Sequence, residues 1–373
     1  PDEAYRKIDK VGPFNYKGLV TPWEEPLDVY YMYRANYVPA AKDPMVYLVS
    51  HTWANRFEKG RRRATIEAYS NCDSVLLYND LTNEKETFLG RKKNNGTGTH
   101  FMWENRDIRY NVLRAVGYYK GKPVAEDLIL LNGLEQAPNF ELLYQDDKKI
   151  LKGEAGYNYL YRLNCGGDDY TDSFGQLWLQ DNTNYSRSWA ENFKDLNPYL
   201  ASQRTTNDPI RGTRDWTLFQ HFRFGRHQLE YRFPVAGGTY RIELYFTEPW
   251  HGTGGSASTD CEGLRIFDVA VNDSVVLDDL DIWAESGHDG VCKKVEYATV
   301  KGGMLKIHFP EVKAGQALIS GIAIASTDQE LKPTVFPASG WSWEKADKEV
   351  MEKTPKELLP EDKNARVSIS YEA

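Results

Sequence analysis

Apolar and polar residues alternate along Arg265–Val271, the alternation breaks at Asn272-Asp273, and it resumes from Ser274 before ending in an acidic loop with Asp278, Asp279, Asp281 and Trp283. Alternation at period two marks a half-buried strand, so this stretch reads as two strands and a turn. The pattern recurs nearby. Ile242, Leu244 and Phe246 alternate with Arg241, Glu243 and Tyr245, and Leu305, Ile307 and Phe309 alternate with Lys306 and His308. The run "ALISGIAIA" from Ala317 reads as a strand buried on both faces. Residues 157–327 are therefore expected to form one large β-domain of two packed antiparallel sheets, of jelly-roll type.

A second set of short β-rich segments occupies residues 42–135, including "MVYLVSHTW", "ATIEAYSN", "SVLLYND" and "IRYNVLRAVGYY". Turn residues at Asn79-Asp80, Asn94-Asn95-Gly96 and Lys120-Gly121-Lys122 separate them, at spacings that suit an immunoglobulin-like β-sandwich. Residues 136–156 are polar and carry Pro138, Gly153 and Gly156, so they read as a linker. Residues 1–41 hold one loop and one helix. Pro26 in a first-turn position, Glu24 and Glu25 ahead of it, and Leu27, Tyr30, Tyr31, Ala35 and Val38 at helical spacing predict a helix to about Tyr37. Residues 328–373 turn polar and contain Pro333, Pro337, Pro355 and Pro360, with Trp341 and Trp343 as candidate anchors. They read as a linker or tail toward a further module.

Composition narrows the function classes. Lys and Arg total 46 against 54 acids, a net charge of −8, with no long basic run. Nucleic acid and anionic membranes select clustered cations, so neither is an expected partner. No apolar run reaches the roughly 18 residues of a membrane helix, and Pro1–Lys10 is too charged for a secretion signal. Cys72, Cys165, Cys261 and Cys292 lack CxxC spacing, and the histidines, His288 among them, lack metal spacing, so no metal and no cofactor is expected. Cys261 and Cys292 precede two predicted strands and read either as a disulfide or as two thiols. Trp, Tyr and Phe make up 13% of the chain, and many lie in Gly-, Asn- and Asp-rich loops, a composition that suits stacking on a flat ligand.

Four blocks in the larger β-domain resemble malectin and the malectin-like carbohydrate-binding modules: "RLNCGGDDYTDSFGQLW" (Arg162–Trp178), "GTYRIELYFTEPW" (Gly238–Trp250), "RIFDVAVNDSVVLDDLDIW" (Arg265–Trp283) and the closing "ISGIAIAS". The resemblance implies a sugar site in which loop aromatics stack on a disaccharide. It assigns that role to Trp250, with His251 beside it, to Phe224 and to Trp189. The sequence departs from the family at Gly315, where malectin has a carboxylate. For Trp250 and Phe224 the competing reading is packing against the Gly252–Gly255 loop. The acids of the 278–283 loop read as acceptors of backbone N–H groups in a turn, with binding of hydroxyls or calcium as the alternative, and Asp168, Asp169 and Asp172, which lack a calcium-loop spacing, read the same way.

The passage "VGPFNYKGLVTPWEEPLDVYYMYRANY" (Val11–Tyr37) resembles the last strand-to-helix passage of the catalytic barrel in glycoside hydrolase family 2, the β-galactosidase and β-glucuronidase family. "MVYLVSHTW" and "AYSNCDSVLLYND" resemble the immunoglobulin-like domain that follows that barrel. The implied fold is mainly β: a short loop-helix remnant of a TIM barrel, an immunoglobulin-like sandwich and a malectin-like jelly-roll sandwich. A barrel needs about 250 residues, so the catalytic glutamate pair is expected outside this sequence, and no catalytic residue is assigned. Asn15 and Lys17 match an Asn-x-Lys motif that β-glucuronidases direct at the sugar carboxylate, and they also fit a neutral-sugar contact or a structural loop. The expected partners are an oligosaccharide or polysaccharide glycan and the enzyme's own barrel and N-terminal domains. The expected place is periplasmic or secreted. Against this sugar-binding accessory role stands a purely architectural one, in which the aromatics pack against a neighbouring surface.

Overall fold

The computed structural model describes residues 18–21, 24–57, 63–181, 186–189, 203–253, 260–301 and 303–333. Asn15, Lys17, Trp341 and Trp343 lie outside them, as does the side chain of Trp189. No helix among the described residues is long and apolar enough to cross a membrane.

The first helix, α1 (Asp28–Tyr37), follows Pro26 and has Asp28 in its first turn, where a carboxylate suits the N-terminal end of the helix dipole. It stops at Val38, which is extended because Pro39 follows. Its inner face carries Tyr31, only 4% exposed, whose ring stacks on Tyr47 with centroids 4.0 Å apart and 5° between planes.

The first sandwich pairs a three-stranded sheet (Val46–Val49, Arg63–Ser70, Phe101–Asp107) with a four-stranded sheet (Phe88–Lys93, Ser74–Tyr78, Val112–Tyr119, Lys122–Leu130). Inward residues of both sheets, including Leu48, Ile66, Leu77, Trp103 and Leu113, form one core. The second sandwich has one six-stranded sheet in the order Cys292–Val300, Gly238–Phe246, Gly321–Ser326, Asn158–Asn164, Leu177–Gln180, Tyr170–Thr171. Facing it is a sheet of Ser186–Trp189, His227–Val235, Gly303–His308, Ile266–Val271 and Ser274–Leu280. A small third sheet joins Gln203–Thr205, His221–Gly225 and Ala317–Ile319. Two short helices, α2 (Trp216–Gln220) and α3 (Ile282–Ser286), lie in its connections.

One sequence expectation needs correction, and one open alternative is decided. The 136–156 stretch is no free spacer: Ala137, Phe140 and Leu151 are buried in a cluster with Val112 of the first sandwich and Trp178, Ile210 and Trp216 of the second. Leu143, Tyr144 and Ile150 pack against the same cluster, which the polar composition of the stretch concealed. All four cysteines are free and buried, so Cys261 and Cys292 form no disulfide. Their surroundings differ: Arg34, Glu248 and Asp43 influence Cys261, while Lys294, Glu285 and Lys148 influence Cys292.

A polar contact also joins the sandwiches. The Nδ1 of His51 lies 2.7 Å from both carboxylate oxygens of Asp208, and its Nε2 lies 2.9 Å from Oδ2 of Asp127. Burial alone would pull the imidazole pKa down, but the two carboxylates hold it well above the ordinary histidine value.

Candidate sugar-binding site

The strand Gly238–Phe246 leads into Thr247-Glu248-Pro249-Trp250, where a fully buried carboxylate sets the turn. Oε1 of Glu248 accepts the backbone N–H of Trp250 at 2.9 Å and of His251 at 3.1 Å, while Oε2 accepts from Nε of the equally buried Arg265. Burial pushes the Glu248 carboxyl up, yet the guanidinium of Arg265 and the hydrogen bonds outweigh it and hold the pKa at about 2. Arg265 also donates Nη1 to the carbonyl of Gln316 at 2.6 Å, and its guanidinium carbon lies 5.1 Å from the Trp250 ring centroid.

Trp250 is half-buried. Its indole meets Phe222 and Phe224 edge-to-face, with centroids 5.2 and 5.7 Å away. Phe224 is 8% exposed and belongs to the core, because its strand is paired on both sides; the guanidinium of Arg204 sits 5.5 Å from its ring. His251 is 3% exposed, and burial lowers its pKa so that the neutral imidazole is favoured. Of the sequence-derived site residues, then, Trp250 is half-buried while Phe224 and His251 are interior.

The chain's own N-terminal segment contacts the Trp250 turn. Tyr31 of α1 donates its hydroxyl to the carbonyl of Trp250 at 3.3 Å. Glu25, 4% exposed, accepts from Nε2 of Gln316 and from the hydroxyl of Thr21 at 2.6 Å, and lies 3.8 Å from Nη1 of Arg265. Burial dominates over Arg265 and raises its pKa above the ordinary carboxylate value. Gly315, at φ +61°, has no room for a side chain, since a Cβ would approach the carbonyl of Leu264 to 2.9 Å. Glu25 thus brings a carboxylate to the residue next to that glycine. Sequence reasoning missed Glu25, Gln316, Arg265 and Tyr31; the one signal was an arginine opening a strand that is otherwise apolar on its inner face.

The acids of the 278–283 loop accept turn hydrogen bonds. Asp281 caps α3 by accepting from the N–H of Ala284 at 3.0 Å and takes the N–H of Gly263 at 2.6 Å, while the N–H of Asp279 goes to Asp268. Asp172 likewise accepts from the N–H groups of Phe174 and Gln176 and from the indole of Trp178.

Residues 159–330 match the Malectin domain family, and residues 61–125 match a domain of unknown function, DUF4982. Malectin of Danio rerio is 25% identical over 166 residues, covering 43% of this chain and 52% of that protein. A putative beta-glucuronidase of Formosa agariphila is 31% identical over 123 residues, covering 32% of this chain and 14% of that protein. The crystal structure of Bacteroides uniformis beta-glucuronidase aligns with a TM-score of 0.35 at 24% identity, over 87% of this chain and 34% of that one. The chain therefore spans about half the length of the first relative and a small part of the second. The likenesses to malectin and to the β-glucuronidases, read from the sequence, both recur in these comparisons, and the architecture is mainly β with sandwich-like sheets.

Proposed function

We propose that this chain is the sugar-binding accessory region of a β-glycosidase of the β-galactosidase or β-glucuronidase type, acting in the periplasm or outside the cell on oligosaccharides or polysaccharides. The observation that supports it is the malectin domain over residues 159–330, with the half-buried Trp250 at its mouth. An indole at such a place offers C–H contacts to a pyranose face at little entropic cost. In this reading Trp250 contacts the sugar, Phe224, His251 and the Glu248–Arg265 pair hold the indole in position, and Trp189 stands at the end of a neighbouring strand. Asn15 and Lys17 are assigned to the sugar at the enzyme's catalytic centre. Holding a glycan beside that centre raises its local concentration, a linked-site effect.

A second reading is favoured by the contacts of Tyr31 and Glu25: the mouth is an internal joint, and both sandwiches serve as architecture. The two are combined most simply if sugar and segment compete for one surface. Affinity electrophoresis in gels containing soluble polysaccharides tests this. Retardation that disappears in Trp250→Ala supports sugar binding at the mouth, and mobility unaffected by every polysaccharide supports the joint alone.

A further inference from the structure

A side-chain cluster at the junction of the two sandwiches has no role in the sugar-binding reading. Asp208, His288 and Asp289 each offer one ligand atom, and these atoms all lie within 4.8 Å of one another. Two loops of the second sandwich bring them together. Asp208 precedes α2, and His288-Asp289 follow α3. Main-chain bonds fix the loops: Arg211 N–H donates to the carbonyl of Asp289 at 2.8 Å, and Asp289 N–H donates to the carbonyl of Glu248 at 2.9 Å.

The spacing of His288 and Asp289 suits a small cation, with Asp208 within 4.8 Å of both. Nε2 of His288 lies 3.0 Å from Oδ2 of Asp289 and 3.1 Å from the hydroxyl of Thr253. Neighbouring ligands around a tetrahedral ion with bonds of about 2.0–2.2 Å lie roughly 3.3 Å apart. Asp208 and Asp289 are only 4% and 6% exposed, and Oδ1 of Asp289 has no hydrogen-bond partner among the described residues. A buried carboxylate oxygen without a donor calls for one, or for a cation.

Charge points the same way. The carboxylates of Asp127, Asp208 and Asp289 gather around two imidazoles, His51 and His288, and His51 already uses both its nitrogens on Asp127 and Asp208. The strongest charge influences on Asp289 come from His288, Asp208 and His51, with no lysine or arginine among them. Counting the three carboxylates against two protonated imidazoles leaves one negative charge, beside which the guanidinium of Arg211 donates to the carbonyl of His288 at 2.7 Å. The donor set of one imidazole and two carboxylates favours a borderline transition ion over calcium or magnesium, which take oxygen ligands.

We propose that Asp208, His288 and Asp289 hold a divalent transition-metal ion of the zinc class, which fastens the two loops together and, through the contact of Asp208 with His51, fastens the second sandwich to the first. His51, 2.7 Å from both oxygens of Asp208, then orients that carboxylate, as outer partners of metal ligands do. His288 binds through a neutral ring nitrogen, so loading releases any proton held there.

The test uses the whole chain, stripped with a chelator, dialysed, and reloaded separately with zinc chloride or calcium chloride. Bound metal per chain is read by mass spectrometry of the gel-filtered protein, and stability by thermal melting. The expected result is one zinc per chain and a rise in melting temperature with zinc but not with calcium. The near-isosteric variants His288→Gln and Asp289→Asn should each bind zinc more weakly by on the order of tenfold or more, whereas His308→Gln, remote from the cluster, keeps it. Circular dichroism checks that each variant is folded. Wild-type protein that retains no zinc, or equal zinc in wild type and both cluster variants, overturns the proposal; the wild-type stoichiometry decides even if a variant fails to fold.

Discussion

Gln316 donates its side-chain amide to both carboxylate oxygens of Glu25, at 3.0 and 3.2 Å, across 291 residues of sequence. This contact seats the segment before α1 on the second sandwich, beside the fully buried Arg265. Glu25→Ala leaves the amide unpaired and removes one of two carboxylates from Arg265. The expected cost is about 1–3 kcal/mol at the docked segment. Hydrogen exchange of the α1 amides, Asp28–Tyr37, should accelerate by roughly one order of magnitude or more; unchanged protection would show that the segment is held elsewhere.

The same carboxyl gives the docking a pH dependence of known sign. Burial raises the Glu25 pKa above its unfolded value, so the docked state binds the proton more tightly. The contribution is fully present below the unfolded pKa and is lost as pH rises through the folded one. Glu25→Gln, which imitates the protonated form, should abolish this dependence. Melting temperatures of wild type and variant, compared from about pH 4 to pH 7, should converge at the acid end and separate toward neutrality, with the variant higher. Separation in the opposite direction contradicts the assignment.

Glu248 behaves in the reverse sense. Its folded pKa of about 2 lies below the ordinary value, so its contribution is present above the unfolded pKa and lost as pH falls toward 2. Glu248→Ala strands the buried charge of Arg265 and frees the N–H groups of Trp250 and His251. A loss of about 3–5 kcal/mol is expected, read as a lower urea midpoint, and a midpoint within error of wild type rules this pair out as a major support.

Phe140 tests whether the connector joins the sandwiches. Its ring lies 5.7 Å from Trp216 and 5.8 Å from Tyr144. Phe140→Ala should cost about 3–5 kcal/mol and resolve two calorimetric transitions where they had been coupled. A single transition at the wild-type temperature means that the cluster does not couple them.

What could be read from the sequence follows physical range. The strand alternation of Ile242, Leu244 and Phe246, the helix signal around Pro26 and the turn role of Asp281 depend on neighbours within a few residues, and all were visible. The pairing of His51 with Asp208, 157 residues apart, and of Gln316 with Glu25 was not, because no local pattern encodes which loops meet. Phe140 and Leu151 were hidden for another reason: a few apolar residues in a polar stretch leave no periodicity, yet suffice to fill a junction. At the mouth, the family likeness pointed to Trp250 but could not reveal that Phe224 is 8% exposed and His251 3%.

The central claim is that sugar and the N-terminal segment share the surface bordered by Trp250. Isothermal titration of a glycan panel into wild type, Glu25→Ala and Trp250→Ala tests it most directly. The account predicts measurable heat with at least one glycan in wild type, tighter binding when Glu25→Ala loosens the segment, and none in Trp250→Ala. Heat that is absent from all three proteins, or that survives unchanged in Trp250→Ala, contradicts it.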